Sequence, residues 1–417
     1  MSILTVDVVA PGWEPVRDAF IHSFDIKEDR GAGVAVYHRG KCVVDLMGGW
    51  RDREQAVPYD ADTLQLVFST TKGVTSIAVA MCVERGLLSY EEKISTYWPE
   101  FAARGKADIT VAQLLSHRAG LYTVDDDISL KDALDWSTIT ARLADTAPLF
   151  PVDSTHGYHA LTFGWLAGEL VRRVTGKSLG DFVREEIAGP LGVEMHVGLP
   201  PALEPRVAHL MAHPIPKFSP EEVKTLMETS GPGTKGASAL SLNGAFGQGA
   251  FNRKDVHQSQ LPGANGISNA RSLARIYAAL VSDIDGVHLL GESARNRATT
   301  SNTPHGEMDE ILMSATDFAM GFMLHSERTP FAGPTSFGHN GAGGSCAFAQ
   351  PSRELGFAYV MNTMIGFTSI LAGLTSEFVG VRPAIIIFAV AAAIASVVYL
   401  IATAGIIRRL RNETLQQ

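Results

Sequence analysis

A chain of 417 residues with 46% hydrophobic content is long enough to bury a large core and to divide into two or three domains. Its net charge of −9, with no basic cluster interleaved with aromatics, excludes nucleic acid as an expected partner. Cys42, Cys82 and Cys346 are odd in number and lack metal or redox spacing, which points to unbridged, mostly buried thiols in a reducing compartment and to no metal centre.

The first eleven residues carry an acid inside their apolar run and no basic region before it, so they do not read as a signal peptide. Ala32 to Leu46 alternates as two strands around an Arg39-Gly40-Lys41 turn. Leu64 to Phe68 reads as extended, and Gly73 to Arg85 reads as a helix stopped by Gly86. Ser69 therefore falls at a helix N-terminus, where its own N–H is free and the helix dipole favours negative charge. Further helical patterns run over 74–85, 110–116, 131–145, 160–175, 179–188 and 270–282. The glycine-dense stretch from Ser230 to Gly249 reads as a loop, beside a cleft or simply on the surface. A second hairpin joins 345–349 to 355–361 through Gln350-Pro-Ser-Arg353. Strands at both chain ends with helices between them predict an α+β fold, in which one antiparallel sheet is built from both ends and a largely helical insertion separates them.

Ala384 to Ile407 runs 24 residues without a charge, between Arg382 and Arg408, Arg409 and Arg411. A helix of that length would extend about 36 Å, enough to cross a hydrocarbon core of about 30 Å. The expected organisation is thus a main globular domain over 1–365, a terminal helix or linker over 366–383 with Leu371–Phe378 packed on the sheet, a transmembrane helix over 384–407 and a short basic tail over 408–417. Without an export signal, the expected location is a single-pass, C-terminally anchored membrane protein whose main domain faces the cytosol.

Ser69-Thr-Thr-Lys72 places a hydroxyl and an amine three residues apart on one helix face, where the amine can take the hydroxyl's proton. A serine is a poor nucleophile unless something does so, and burial would lower the ammonium pKa enough to make Lys72 a base. A Gly-x-Ser-x-Gly elbow and a His-Glu-x-x-His zinc site are both missing, and Gly176-Lys177-Ser178 lacks the first glycine of a phosphate loop. No cofactor is implied.

Five motifs in order, Val67-Phe-Ser-Thr-Thr-Lys-Gly73, Leu114-Leu-Ser-His-Arg-Ala-Gly-Leu121, Gly157-Tyr158-His-Ala160, Gly263-Ala-Asn-Gly-Ile267 and Phe337-Gly-His-Asn-Gly-Ala-Gly-Gly344, carry a resemblance over roughly residues 15–365. The chain resembles the serine β-lactamase and penicillin-binding-protein superfamily, in its class C-like branch, which also holds family VIII-like carboxylesterases and D-aminoacyl peptidases. The resemblance implies a β-lactamase-like sheet flanked by helices, Ser69 as nucleophile, Lys72 as its base and Tyr158 as a proton relay opposite the serine. It implies that His339, Asn340 and Gly341 form the substrate-side strand, and that the N–H of Ala342 completes an oxyanion hole with that of Ser69. His117 reads as structural, and Asn265-Gly266 as pocket wall.

Two positions depart from the pattern. Ala160 stands where the family commonly has the asparagine of Tyr-x-Asn, which helps hold a substrate amide. His339-Asn340-Gly341 stands where it commonly has Lys-Thr-Gly, whose lysine draws in a substrate carboxylate; histidine is a weaker anchor at pH 7 and a hydrogen-bond candidate for Tyr158. The expected function is a membrane-anchored serine hydrolase that cleaves esters or small amides through an acyl-enzyme. The alternatives are a catalytically inactive binding module on the same fold, or a peptidase or true β-lactamase.

Overall fold

The computed structural model describes residues 3–26, 30–212, 224, 227–247, 249–326 and 329–364. Residues 1–211 and 218–364 form one compact unit; 212–217 and 365–417 group separately and, Ala212 apart, lie outside the described residues.

The compact unit is organised on a seven-stranded antiparallel sheet. Its strands are β1 (Leu4–Val9), β2 (Gly31–His38), β3 (Lys41–Gly49), β4 (Met323–Leu324), β5 (Phe337–Asn340), β6 (Cys346–Gln350) and β7 (Leu355–Met361), in the spatial order β1-β3-β2-β7-β6-β5-β4. Both hairpins read from the sequence are present, and β2 pairs with β7 in the register Val34 to Tyr359, which joins the two chain ends at the centre of the sheet. Small and β-branched residues fill β2, buried along nearly its whole length, as suits a strand covered on both faces. On one face Phe20 of helix α1 (Glu14–Ile26) packs with Val34, Val36, Val44 and Leu46.

On the other face α2 (Thr70–Glu84) and α4 (Ala270–Ala278) pack against the sheet, and α3 (Thr162–Thr175) packs against α2. Helix α2 is buried on all sides from Thr70 to Cys82, which fixes its N-terminus firmly relative to the sheet. The predicted helix over 131–145 is two, Leu130–Leu134 and Trp136–Asp145, because the Asp135 side chain accepts from the Thr138 N–H at 2.8 Å and starts a new helix there. The glycine-dense stretch contains a helix of its own, Lys235–Ser241, started by the Thr234 hydroxyl accepting from the Ala237 N–H. Cys82 is buried and Cys346 partly so, but Cys42 is exposed; none is bridged.

The α+β architecture fits, but its predicted membrane span does not. Among the described residues no helix is long and apolar enough to cross a membrane. The apolar helix α2 has 15 residues, about 22 Å, and serves as a core helix. An uncharged run satisfies the length for a span without requiring one, and 384–407, like 366–383, Leu371–Phe378 and the tail, lies outside the described residues. The transmembrane helix and the single-pass membrane localisation are accordingly corrected.

Candidate active site

Ser69 sits on a sharp turn between the extended segment ending at Val67 and helix α2. Phe68 has a φ of +47°, a conformation that costs a side-chain-bearing residue energy unless its surroundings enforce it. They do: the Phe68 carbonyl accepts from the Thr71 hydroxyl at 2.5 Å, and its ring packs edge-on against Phe251 at 5.0 Å. The turn delivers Ser69, half-buried, to the first turn of α2, where its N–H donates to no backbone carbonyl among the described residues.

One turn further on, Lys72 is completely buried. Its Nζ lies 3.1 Å from Ser69 Oγ, 2.6 Å from the Ala160 carbonyl oxygen and 2.7 Å from that of Gly263. The Gly263 loop reaches this point because α3 carries glycine at 164: a methyl group there would stand 2.0 Å from the Gly263 nitrogen. Burial pushes the Lys72 pKa well below its ordinary 10.5. In its neutral form such an amine has two N–H bonds, enough for the two carbonyls, and one lone pair for the Ser69 hydroxyl.

Tyr158 closes the other side. Its ring centroid is 4.8 Å from Lys72 Nζ, and its hydroxyl is within hydrogen-bonding reach of Ser69. Burial raises its pKa, so the phenol keeps its proton. The ring stacks on Phe318 at 5.9 Å and meets His117 at 5.0 Å. His117 is itself buried, and its Nδ1 accepts the His159 N–H at 3.1 Å; burial drives its pKa well down, and a neutral ring holding the loop fits the structural reading.

His339 lies at the end of β5, fully buried, with its ring 6.0 Å from that of Tyr158. The hydrogen bond expected between them is not formed. Nδ1 instead donates to the neighbouring Asn340 carbonyl at 2.6 Å, and burial, with Lys72 adding to it, pushes the imidazole down to about 3. Asn340 is half-buried. Gly341 is where the strand meets the serine turn: a Cβ there would stand 2.3 Å from the Val67 carbonyl oxygen and 2.9 Å from Thr70 Oγ1. Ala342, exposed, is the first residue of a 3₁₀ turn, so its N–H has no acceptor within that turn.

The structure therefore brings Ser69, Lys72, Tyr158, His339 and Gly341 to one place. Asn265, expected on the pocket wall, is instead a buried brace whose side chain accepts from Leu261 N and donates to the Val256 and Ser259 carbonyls. Two residues escaped sequence reasoning. Phe68 carries no composition signal for its strained φ. Asp309 accepts the Tyr158 N–H at 3.1 Å from 151 residues away, a distance no local pattern bridges. Two surface clefts of about 570 and 660 Å³, lined by Trp98 and Trp136 and by Arg295 and Ser336, include none of the site residues.

The Beta-lactamase family model matches residues 18–372. The esterase/beta-lactamase LipL of Mycobacterium tuberculosis is 35% identical over 85% of this chain and 82% of its own. A penicillin-binding-protein homolog from Caulobacter crescentus superposes with a TM-score of 0.79 at 36% identity, over 88% of this chain and 95% of its own. A family VIII carboxylesterase does so at 0.77 and 34% identity, over 86% and 93%.

Proposed function

This chain belongs to the Beta-lactamase family, as a serine hydrolase of that superfamily, and on that premise we propose that it cleaves uncharged esters, and small amides more slowly, through an acyl-enzyme on Ser69. The observation that carries the reading is the threefold coordination of the buried Lys72 amine, which leaves one lone pair and aims it at Ser69.

In this mechanism Lys72 takes the Ser69 proton as Oγ bonds to the substrate carbonyl carbon. The oxygen that becomes negative is stabilised by the N–H groups of Ser69 and Ala342 and by the N-terminus of α2. As the ester C–O bond breaks, the departing alkoxide takes a proton from the Tyr158 phenol, which regains one from the Lys72 ammonium. Water then attacks the acyl carbon while the same pair accepts its proton and returns one to Ser69, releasing the acid. Each proton taken in one half is given back in the other, so the enzyme ends as it began.

Two features favour esters over carboxylate-bearing lactams. His339 is uncharged at pH 7, so the family's usual cationic anchor has no counterpart at that position. Ala160 places a methyl group, in a cluster with Tyr122, Phe150 and Ile311, where an amide-binding asparagine commonly stands. The similarity to a family VIII carboxylesterase supports the same choice. The test is kcat/KM for p-nitrophenyl butyrate against a chromogenic cephalosporin. The ester should lead by at least about tenfold, since an unpaired carboxylate costs the lactam more than about 1.4 kcal/mol; a lead for the lactam would refute the assignment.

A further inference from the structure

Asp309 is fully buried, and its oxygens are spent on the segment that carries Tyr158 and on its own turn. Oδ1 accepts the N–H of Tyr158 at 3.1 Å and those of Ile311 and Leu312 at 2.8 and 2.9 Å; Oδ2 accepts from the Thr316 hydroxyl at 3.4 Å. A carboxylate is tolerated in such a place only when donors surround it, so the turn over 309–316 and the Tyr158 backbone are tied to one another through it.

The same turn grips His156, two residues before Tyr158, and His117 holds Gly157 between them. The His156 carbonyl accepts the Glu310 N–H at 3.0 Å. The buried His156 ring spans Glu307 Oε2 at 2.5 Å and Thr316 Oγ1 at 2.8 Å, and Glu307 is in turn held by Arg118 at 2.7 Å. Gly157 N–H donates to the His117 carbonyl at 3.0 Å. Stacking on Phe318 and an edge contact with His117 limit how the Tyr158 ring tilts, but the height of its hydroxyl above Ser69 follows from where its Cα is pinned. Proton transfer is steep in that distance, and a displacement of about 1 Å can cost about a hundredfold in rate.

We propose that Asp309 is the positioning residue for Tyr158: it acts through the Tyr158 backbone, sets the reach of the phenol to Ser69, and touches no substrate. The inference rests on the proton-transfer role proposed for Tyr158. It is tested by a double-mutant cycle on p-nitrophenyl butyrate hydrolysis with Asp309→Ala, Tyr158→Phe and the pair, together with Asp309→Asn. Asp309→Ala should lower kcat by about tenfold or more with KM changed less than about threefold. Asp309→Asn keeps an oxygen to accept the three amides and should recover most of the loss. In the Tyr158→Phe background Asp309→Ala should cost nothing further, because the group it positions is gone. An unchanged kcat in Asp309→Ala, or losses that multiply in the pair, would overturn the proposal. If Tyr158→Phe alone keeps kcat within about tenfold, it is the role of Tyr158 that fails, and this inference with it. Should Asp309→Ala not fold, Asp309→Ser, whose hydroxyl can accept one amide, replaces it in the cycle with the same two outcomes.

Discussion

The Lys72 amine donates to the main-chain carbonyl of Ala160 at 2.6 Å, at the position where related enzymes commonly carry the asparagine of Tyr-x-Asn. A backbone acceptor is present whatever the side chain, so replacing asparagine by alanine removes a polar wall from the site without releasing the lysine. The Ala160 methyl group is left in the apolar cluster around Tyr158. The departure thus leaves the Lys72 contact with the Ala160 carbonyl in place, and under the proposed function it bears on which substrate fits.

Lys72→Met roughly keeps the side-chain volume and removes the lone pair. It should lower ester kcat by several orders of magnitude, as loss of an activating base does, while stability changes by a few kcal/mol at most, because the lost carbonyl partners are offset by relief from burying an amine. Steady-state kinetics and urea denaturation on the same preparation check both parts.

The pH profile of the wild type follows from the direction of the Lys72 shift. Lys72 acts as a base only when neutral, so kcat/KM should rise with pH and level off well below 10.5, the ordinary lysine value. Tyr158, shifted upward, keeps its proton through that plateau and adds no falling limb there. A rate still climbing as pH passes 10 would mean that Lys72 titrates like a solvated lysine.

Gly341→Ala tests the contact between β5 and the serine turn. The added methyl group would sit 2.3 Å from the Val67 oxygen, so the strand end must move away from Ser69. We expect a stability loss of about 1–3 kcal/mol, typical of overpacking, and a drop in kcat of at least about tenfold as Ala342 N–H leaves the oxyanion position. Thermal unfolding and ester kinetics decide it; unchanged kinetics would detach this strand from the site.

Acid should destabilise the fold through its buried histidines. His159 and His339 are pushed down to about 4 and about 3, and His117 well below its ordinary value, chiefly by burial. The unfolded chain protonates each near 6.5 while the folded one does not, so this stability is complete above about 6.5 and is lost as pH falls toward the folded values, by up to about 1.4 kcal/mol per pH unit for each ring. Urea midpoints between pH 7 and 5 should fall less steeply in His159→Gln than in the wild type. Equal slopes would show that His159 is not neutral in the fold.

Much of this was legible in the sequence where the signal is local. Ser69 and Lys72 declare themselves by spacing and by the strand-to-helix switch around them, and the hairpins over 31–49 and 346–361 by alternation. The rest depends on contacts that spacing does not encode. Strand β5, four residues long, is too short to show alternation. The helix 235–241 is hidden among glycines, since its Thr234 cap is only one residue. His339 was expected to reach Tyr158, but its own strand carbonyl is nearer. The uncharged run 384–407 met the length rule for a span, a rule that core helices of the same composition also approach.

That Ser69 is the nucleophile is tested most directly by covalent labelling. The protein is treated with a fluorophosphonate, digested, and the modified peptide located by mass spectrometry, with Ser69→Ala alongside. One phosphonylated residue, Ser69, and no labelling of the variant are expected. Equal labelling of Ser69→Ala, or an adduct on another residue of the wild type, would contradict the assignment of Ser69 as nucleophile.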